Sequence, residues 1–298
     1  MSEATCTANG IELCYEEFGD PSDPAVLLVM GLATQMLGWD ADFCAELSGR
    51  GFRVIRYDNR DVGRSQRMTG APPTLRQLVL RSKKAARYTI DDMAADGVGL
   101  LDALGIERAH VVGASMGGMI AQTIAVRHPQ RVLSLTSIMS STGARLSGQP
   151  ALKMLPLFFK KPPRGRDAYI DRTVGLFGVI GSPGFPRAEA DLRAMLGSAW
   201  ERGHDAAGPG RQLAAVLAAT DRRELLRSIT TPTLVIHGTA DPLVRPSGGR
   251  ATARAIPGAR LLLIDGMGHD LPRGAWPQII DGIEENARRA SPATARAV

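Results

Sequence analysis

Six short apolar runs follow one another along the chain, each about five to seven residues long. They cover residues 25–30, 52–57, 109–113, 132–138, 233–238 and 260–265. Most of them are nearly continuous rather than alternating, which is typical of strands that are buried on both faces of a parallel sheet. The pattern therefore predicts six buried strands.

Helical periodicity occupies several stretches between these runs. The candidates are residues 43–50, 89–104, 119–128 and 276–289. The second of them is the clearest, because its apolar residues fall on one face and Asp91 and Asp92 lie in its first turn, where carboxylates favour the helix dipole. The repeated order of strand and helix predicts an α/β protein with a doubly wound, mostly parallel sheet.

One long stretch interrupts this rhythm. Between residues 143 and 227 the chain has no convincing buried strand and carries several prolines, with helical pieces at 192–200 and 212–226. A helical insertion over the sheet is the simplest account of this pattern. We therefore predict a core formed by residues 1–142 and 228–298 and a helical cap formed by residues 143–227.

The third apolar run leads directly into Gly113-Ala114-Ser115-Met116-Gly117, which is G-x-S-x-G between a strand and a helix. In that setting the chain turns sharply, and the serine takes a strained conformation that exposes its hydroxyl, while the glycines remove Cβ atoms that would clash. The motif predicts Ser115 as a nucleophile. It also predicts the Met116 N–H, at the start of the new helix, as a donor to an oxyanion. The alternative is a glycine-rich turn with an incidental serine.

A serine nucleophile needs a base, and the chain has five histidines. His269 follows the last apolar run within a glycine-rich loop, beyond the carboxyl end of a strand, where parallel sheets build their sites. The others lie at the start of a strand, at the end of a helix, in the predicted cap and in a tight turn, namely His110, His128, His204 and His237. We therefore expect His269 to be the base, with His204 as a weaker alternative base and a surface histidine in a glycine-rich loop as the alternative role for His269.

The base in turn needs an acid that fixes its tautomer and stabilises the imidazolium. Asp241 follows the fifth run and so lies at a strand's carboxyl end, one loop before His269. The resulting chain order of serine, aspartate and histidine is the one expected for this kind of strand–turn–helix nucleophile. Asp265 and Asp270 are rivals, but both are too near His269 in sequence for an easy geometry.

A second oxyanion donor is expected in the loop after the first run, where Gly31 permits a turn that aims the Leu32 N–H at the site. The loop after the next run, residues 58–65, is charged and glycine-rich. Its composition indicates a hydrogen-bonded structural turn rather than a catalytic group.

With these motifs in order, the chain resembles the α/β-hydrolase fold superfamily, and within it the capped esterases of the aclacinomycin methylesterase kind and the small esterases and lipases. The resemblance covers most of residues 10–145 and 228–290 and departs from the common pattern at Met30, where the family has histidine before the glycine. It implies a triad of Ser115, Asp241 and His269 with an oxyanion hole made by Leu32 and Met116.

The function that this implies is serine-dependent hydrolysis of a small carboxylic ester through an acyl-enzyme. The same triad serves cofactor-free perhydrolases and haloperoxidases, lactonases, thioesterases and C–C bond hydrolases, so these remain alternatives. A ligand-binding receptor with little turnover is an alternative of another class. The mechanism calls for no cofactor, and no His, Cys and Asp cluster has the spacing of a metal site.

Substrate choice is expected to rest with apolar side chains of the cap and of the loops near the nucleophile. The candidates for a pocket are Trp39, Met139, Leu155 and Phe158. Apolar side chains of this kind are more often plain core, and that interpretation stays open for each of them.

Composition limits the classes of binding partner and the cellular location that we expect for this protein. The net charge is +6, but the basic residues are mixed with acidic ones and aromatic residues are only 5%, which argues against nucleic-acid binding. No apolar run approaches roughly 18 residues, so we expect no stable membrane insertion. Three cysteines do not form a disulfide framework, and the first residues do not resemble a signal peptide, so we expect a cytoplasmic protein. The oligomeric state does not follow from the sequence.

Overall fold

The computed structural model describes residues 2–80, 83–154 and 163–290. A single eight-stranded sheet forms its centre. The strands are β1 (Ala4–Ala8), β2 (Ile11–Phe18), β3 (Ala25–Val29), β4 (Arg53–Tyr57), β5 (Ala109–Ala114), β6 (Val132–Ile138), β7 (Thr233–Gly238) and β8 (Arg260–Ile264). Their order across the sheet is β1-β2-β4-β3-β5-β6-β7-β8.

The sheet is parallel from β4 to β8, and each of its six parallel strands coincides with a predicted apolar run. The prediction of a mostly parallel α/β fold is therefore confirmed. Strands β1 and β2 are additional and antiparallel, and β2 joins the sheet through β4. Their hairpin turns at Asn9 and Gly10, both at positive φ, which is the Asn-Gly signal for a tight two-residue turn.

Ten α-helices are described along the chain. They are α1 (Ala41–Ser48), α2 (Leu75–Val79), α3 (Ile90–Ala103), α4 (Met116–Arg127), α5 (Arg166–Ile180), α6 (Glu189–Gly203), α7 (Gly208–Ala218), α8 (Arg223–Leu226), α9 (Ser247–Ala255) and α10 (Trp276–Arg288). Within the described part of the chain, no helix combines the length and the apolar character needed to cross a membrane.

The predicted helices are present, with two differences. Helix α4 starts at Met116 rather than at 119, because the chain leaves β5 through a single residue. Residues 212–226, predicted as one helix, form α7 and α8, so that prediction is wrong. The break comes at Ala219, whose backbone is extended, and the Asp221 carboxylate then accepts the Arg223 N–H to start the next helix.

Apolar side chains pack on both faces of the sheet. Helices α3 and α4 cover one face, and α1 and α10 cover the other. Between β6 and β7 the described residues form helices α5 to α8 and no strand. This agrees with a helical insertion over the core, while its boundaries at 142/143 and 227/228 stay a prediction.

Two buried ion pairs attach this helical segment to the loop after β4. Arg211 of α7 donates two hydrogen bonds to the Asp61 carboxylate, at 2.9 and 2.6 Å, and Arg202 of α6 pairs with Asp58. Asp58 also accepts the Met36 N–H at 2.8 Å. Both carboxylates are buried and bonded to arginines of the helical segment. The loop therefore has a structural role, as its charged and glycine-rich composition predicted.

The close approach of α4 to β3 makes Gly117 irreplaceable. A Cβ atom on Gly117 would clash with the carbonyl oxygen of Val29. We expect Gly117→Ala to lower the free energy of unfolding by about 3 kcal/mol, the upper part of the range for overpacking a core. Urea unfolding followed by circular dichroism measures the change.

The control for this prediction is Gly178→Ala in α5, where an added Cβ atom meets nothing within 4 Å. That substitution should leave stability unchanged or raise it by about 0.5–1 kcal/mol, because alanine favours a helix over glycine. Equal unfolding midpoints for the two variants would show that α4 does not approach β3 as described.

Stability should also depend on pH through His110 in β5. The imidazole is buried, with its Nδ1 2.9 Å from the Ser134 hydroxyl, and burial, helped by the charge of Arg108, lowers its pKa to about 4. In the unfolded chain the pKa of this histidine is near 6.5, so between pH 6.5 and 4 the unfolded chain binds more protons than the native state. The contribution of His110 to the free energy of unfolding is therefore complete above about pH 6.5 and is lost as pH falls towards 4.

The full effect is roughly 3 kcal/mol, of which about 2 kcal/mol falls between pH 7 and pH 5. Urea titrations at pH 7 and pH 5 should show that the free energy of unfolding falls less between the two pH values for His110→Gln than for the wild type. A loss of the same size in both proteins would mean that His110 is not the group that titrates.

Candidate functional site

Ser115 stands alone between the end of β5 and the start of α4, with φ 57° and ψ −118°. This conformation is disfavoured for a residue with a side chain and persists only where the surroundings hold it. The Ser115 N–H donates to the Ile138 carbonyl at 2.9 Å, and Gly113 and Gly117 leave no room for a Cβ atom on either side of the turn. The turn therefore presents the hydroxyl above the carboxyl end of the sheet.

Three predicted residues come together at this point. His269 Nε2 lies 2.9 Å from Ser115 Oγ, and His269 Nδ1 lies 2.7 Å from Asp241 Oδ2. Because a carboxylate only accepts hydrogen bonds, Nδ1 carries the proton and Nε2 is left to accept the serine hydroxyl. This tautomer is the one a general base needs.

Asp241 is held in place by its own loop after β7. Its Oδ1 accepts the N–H groups of Leu243 and Val244, both at 2.9 Å, which leaves Oδ2 to face His269. His237 also lies near, with Nε2 at 3.6 Å from Asp241 Oδ2, but it donates to the Val244 carbonyl at 2.7 Å. Burial lowers the pKa of His237, so the second histidine stays neutral.

The two rival aspartates have other partners. Asp265 accepts the hydroxyl of Thr239 at 2.8 Å, on the outer side of the loop. Asp270 accepts the hydroxyl of Ser182, and burial raises its pKa. Neither carboxylate has a hydrogen bond to His269.

The loop that carries His269 is fixed by the end of α5 and the residues after it. The His269 N–H donates to the Ile180 carbonyl at 2.7 Å, and the Gly268 N–H donates to Ser182 Oγ at 2.8 Å. Gly268 has no room for a Cβ atom because the carbonyl oxygen of Gly181 lies against it. These contacts with the helical segment did not follow from sequence, because they join parts of the chain about 90 residues apart.

The two candidate oxyanion donors lie on either side of Ser115. A Cβ atom on Gly31 would lie 3.1 Å from the Ser115 Cβ, so the Gly31–Leu32 peptide runs close to the serine. Met116 is the first residue of α4, where backbone N–H groups have no helical partner. Within the described part of the chain, the N–H groups of Leu32 and Met116 form no hydrogen bond.

Two of the predicted pocket residues are buried in the core that faces α1 and α10. Trp39 is fully buried, with its ring centroid 5.5 Å from that of Phe43, and Met139 is almost fully buried and has φ 41°. Leu155 and Phe158 lie outside the described residues. The assignment of a pocket to these four residues stays a prediction.

Among the residues that the structure describes, no three His, Cys, Asp or Glu side chains are grouped so that they could hold a metal ion. The His204 imidazole stacks on Trp200 at 4.1 Å between ring centroids and is not among the groups around Ser115. His110 is buried within β5 beside Ser134.

Known proteins share this architecture. Residues 24–180 match the model of the α/β-hydrolase fold family, and residues 205–273 match a model described as serine aminopeptidase. The rhodomycin D methylesterase of Streptomyces peucetius is 30% identical over 312 aligned positions, covering 98% of this chain and all of that protein. The 3-oxoadipate enol-lactonase 2 of Acinetobacter baylyi is 28% identical over 83% of this chain and 82% of its own length.

A solved structure agrees with these sequence matches. The crystal structure of the enol-lactonase from Burkholderia xenovorans superposes with a TM-score of 0.73 and 27% identity, covering 96% of this chain and 99% of that one. The family model spans more than half of the chain, and the methylesterase matches it nearly from end to end. The chain therefore belongs to the α/β-hydrolase fold family and is an esterase-like hydrolase.

Proposed function

We propose that the chain hydrolyses carboxylic esters through an acyl-enzyme, with Ser115 as nucleophile, His269 as general base and Asp241 as the group that orients the base. The observation that carries the proposal is the continuous line of hydrogen bonds from Ser115 Oγ through both nitrogens of His269 to Asp241, at 2.9 and 2.7 Å. Both distances are within the range that proton transfer requires.

Acylation begins when Ser115 Oγ attacks the ester carbonyl carbon and His269 Nε2 takes the hydroxyl proton. The carbonyl π electrons move to the oxygen, which accepts hydrogen bonds from the N–H groups of Leu32 and Met116. When the tetrahedral intermediate collapses, the C–O bond to the alcohol breaks and His269 returns the proton to the departing oxygen. Water, deprotonated by the same nitrogen, then attacks the acyl carbon and releases the acid and Ser115.

Asp241 contributes by stabilising the imidazolium that exists between these proton transfers. Its carboxylate is buried and already oriented by two backbone N–H groups, so little reorganisation is needed when the neighbouring ring becomes charged. His237 is neutral and therefore adds no competing positive charge beside the imidazolium.

The substrate class follows from the relatives. The methylesterase named above matches almost the whole chain, which favours a carboxylic methyl ester with a small leaving alcohol. The enol-lactonases favour a second candidate, a lactone, which is a cyclic ester opened by the same steps. Perhydrolase, haloperoxidase, thioesterase and C–C bond hydrolase activities use the same residues and are tested after these two, together with a receptor role without turnover.

The first test is hydrolysis of p-nitrophenyl esters from acetate to palmitate, alongside methyl esters and simple lactones. The wild-type protein should cleave the short esters, and Ser115→Ala should lower kcat by roughly 10³-fold or more, because no other group supplies the nucleophile. Far-UV circular dichroism of the variant controls for folding. Hydrolysis that survives in Ser115→Ala would exclude this mechanism, and no hydrolysis of any ester or lactone would move the search to the remaining substrate classes.

Asp241→Asn tests the orienting role separately. The amide would present N–H donors where Oδ2 now accepts, so His269 would be held in the wrong tautomer, with the proton on Nε2. We expect kcat for the same esters to fall by about 10³- to 10⁴-fold. Asp265→Asn, which alters a carboxylate that bonds to Thr239 and not to His269, is the matched control and should stay within about twofold of the wild type. Equal rates for the two variants would contradict the assignment of Asp241.

A further inference from the structure

Gln212 of α7 joins two loops of the core through one side chain. Its Oε1 accepts the Ala33 N–H at 2.8 Å, and its Nε2 donates to the Arg60 carbonyl at 2.9 Å. The side chain is fully buried, and both ends of the amide are used on backbone groups. A buried amide with both ends satisfied holds one orientation, because turning it over would leave a donor facing a donor.

The residue that Gln212 holds has an unusual backbone. Ala33 lies at φ 60°, in the left-handed region that residues with a side chain rarely occupy. Such a conformation persists where neighbouring groups fix it. The hydrogen bond from the Ala33 N–H to Gln212 is therefore a contact on which the path of this loop depends.

Ala33 immediately follows the candidate oxyanion donor. The Leu32–Ala33 peptide is held at its N–H by Gln212 and at its C=O by the Thr34 hydroxyl, at 3.2 Å. On the other side, the Met30 carbonyl accepts Asn59 Nδ2 at 2.9 Å. The Gly31–Leu32 peptide, which carries the candidate oxyanion donor, thus lies between two peptides that are each fixed by side chains.

Helix α7 itself is fixed to the core one residue earlier. Arg211 pairs with Asp61 through two hydrogen bonds, and the Tyr88 hydroxyl donates to the same carboxylate at 2.7 Å. The position of Gln212 is therefore set by a buried ion pair and not by its own two bonds alone. This makes the side chain a stiff connection between the helical segment and the oxyanion loop.

We propose that Gln212 is a positioning residue for the oxyanion hole. Through its side chain, the placement of the helical segment on the core determines the direction of the Leu32 N–H. The proposal rests on the proposed function, since it assumes that Leu32 stabilises the oxyanion. Gln212 touches neither the nucleophile nor the base, so its effect is on the developing negative charge. Loss of an interaction that is made only in the transition state lowers kcat and leaves KM unchanged.

The test replaces Gln212 by methionine, which fills a similar volume but accepts no strong hydrogen bond from Ala33. For a short p-nitrophenyl ester we expect kcat to fall about tenfold or more, with KM within about twofold. Affinity for an alkyl boronic acid, which forms a tetrahedral adduct on a reactive serine, should fall by a similar factor. If Gln212→Met does not fold, Gln212→Asn, whose amide is withdrawn by one methylene, is measured in the same way.

Two further variants separate positioning from a loss of stability. Gln212→Glu keeps the acceptor for the Ala33 N–H, and because burial raises the pKa of a carboxyl, its protonated form still donates to the Arg60 carbonyl, so its kcat should stay within about threefold of the wild type. Gln122→Met removes another fully buried glutamine, one that bonds to Ser137 and Arg222 and not to the oxyanion loop. It should lower Tm and leave kcat within about twofold.

The proposal is overturned if Gln212→Met keeps the wild-type kcat, if Gln212→Glu loses as much as Gln212→Met, or if Gln122→Met loses kcat to the same extent. Failure of the proposed function has a different signature, because hydrolysis would then survive Ser115→Ala. A wild-type rate that depends on Ser115 but not on Gln212 would remove only the positioning role.

Discussion

Helix α4 begins one residue after strand β5 ends, and the geometry of the site follows from how closely these two elements approach. The approach is possible because Gly113 carries no Cβ atom where the Gly117 carbonyl lies against it, and Gly117 in turn carries none where α4 meets the Val29 carbonyl of the neighbouring strand β3. It leaves Ser115 with a positive φ and its hydroxyl above the carboxyl end of the sheet, where it meets His269, while Met116 begins the helix with an N–H that forms no hydrogen bond within the described residues. The backbone therefore supplies both the position of the proposed nucleophile and an available donor before any other side chain takes part.

The helical segment between β6 and β7 is more than a cover for the sheet. Its first described helix ends at Ile180, whose carbonyl holds the backbone of His269, and its later helices reach the core through Arg202, Arg211 and Gln212. Breaking a buried ion pair of this kind typically costs about 3–5 kcal/mol, because it leaves an unpaired charge in the interior. The segment is thus mechanically connected to the two loops that carry the proposed catalytic groups. A change in how the segment sits would be felt at both His269 and Leu32.

Sequence reasoning predicted the parts of this protein that depend on local pattern. Continuous apolar runs identify strands buried on both faces, and a glycine-flanked serine between a strand and a helix identifies a tight turn; both lie where they were predicted. The β1–β2 hairpin was missed because β2 is half-buried and mixes glutamates with apolar residues, although Asn9-Gly10 marks its turn. The contacts of Ile180, Ser182 and Gln212 could not be predicted from the sequence, because they link residues that are far apart along the chain and that belong to no recognisable motif.

Covalent labelling shows whether His269 makes the Ser115 hydroxyl nucleophilic. A fluorophosphonate reacts with an activated serine hydroxyl and leaves an adduct whose position peptide mass spectrometry identifies. We expect one adduct, on Ser115, at a rate that falls by several orders of magnitude in His269→Ala, while Ser115→Ala remains unlabelled. Labelling at another residue, or equal rates in the wild type and in His269→Ala, would contradict this expectation.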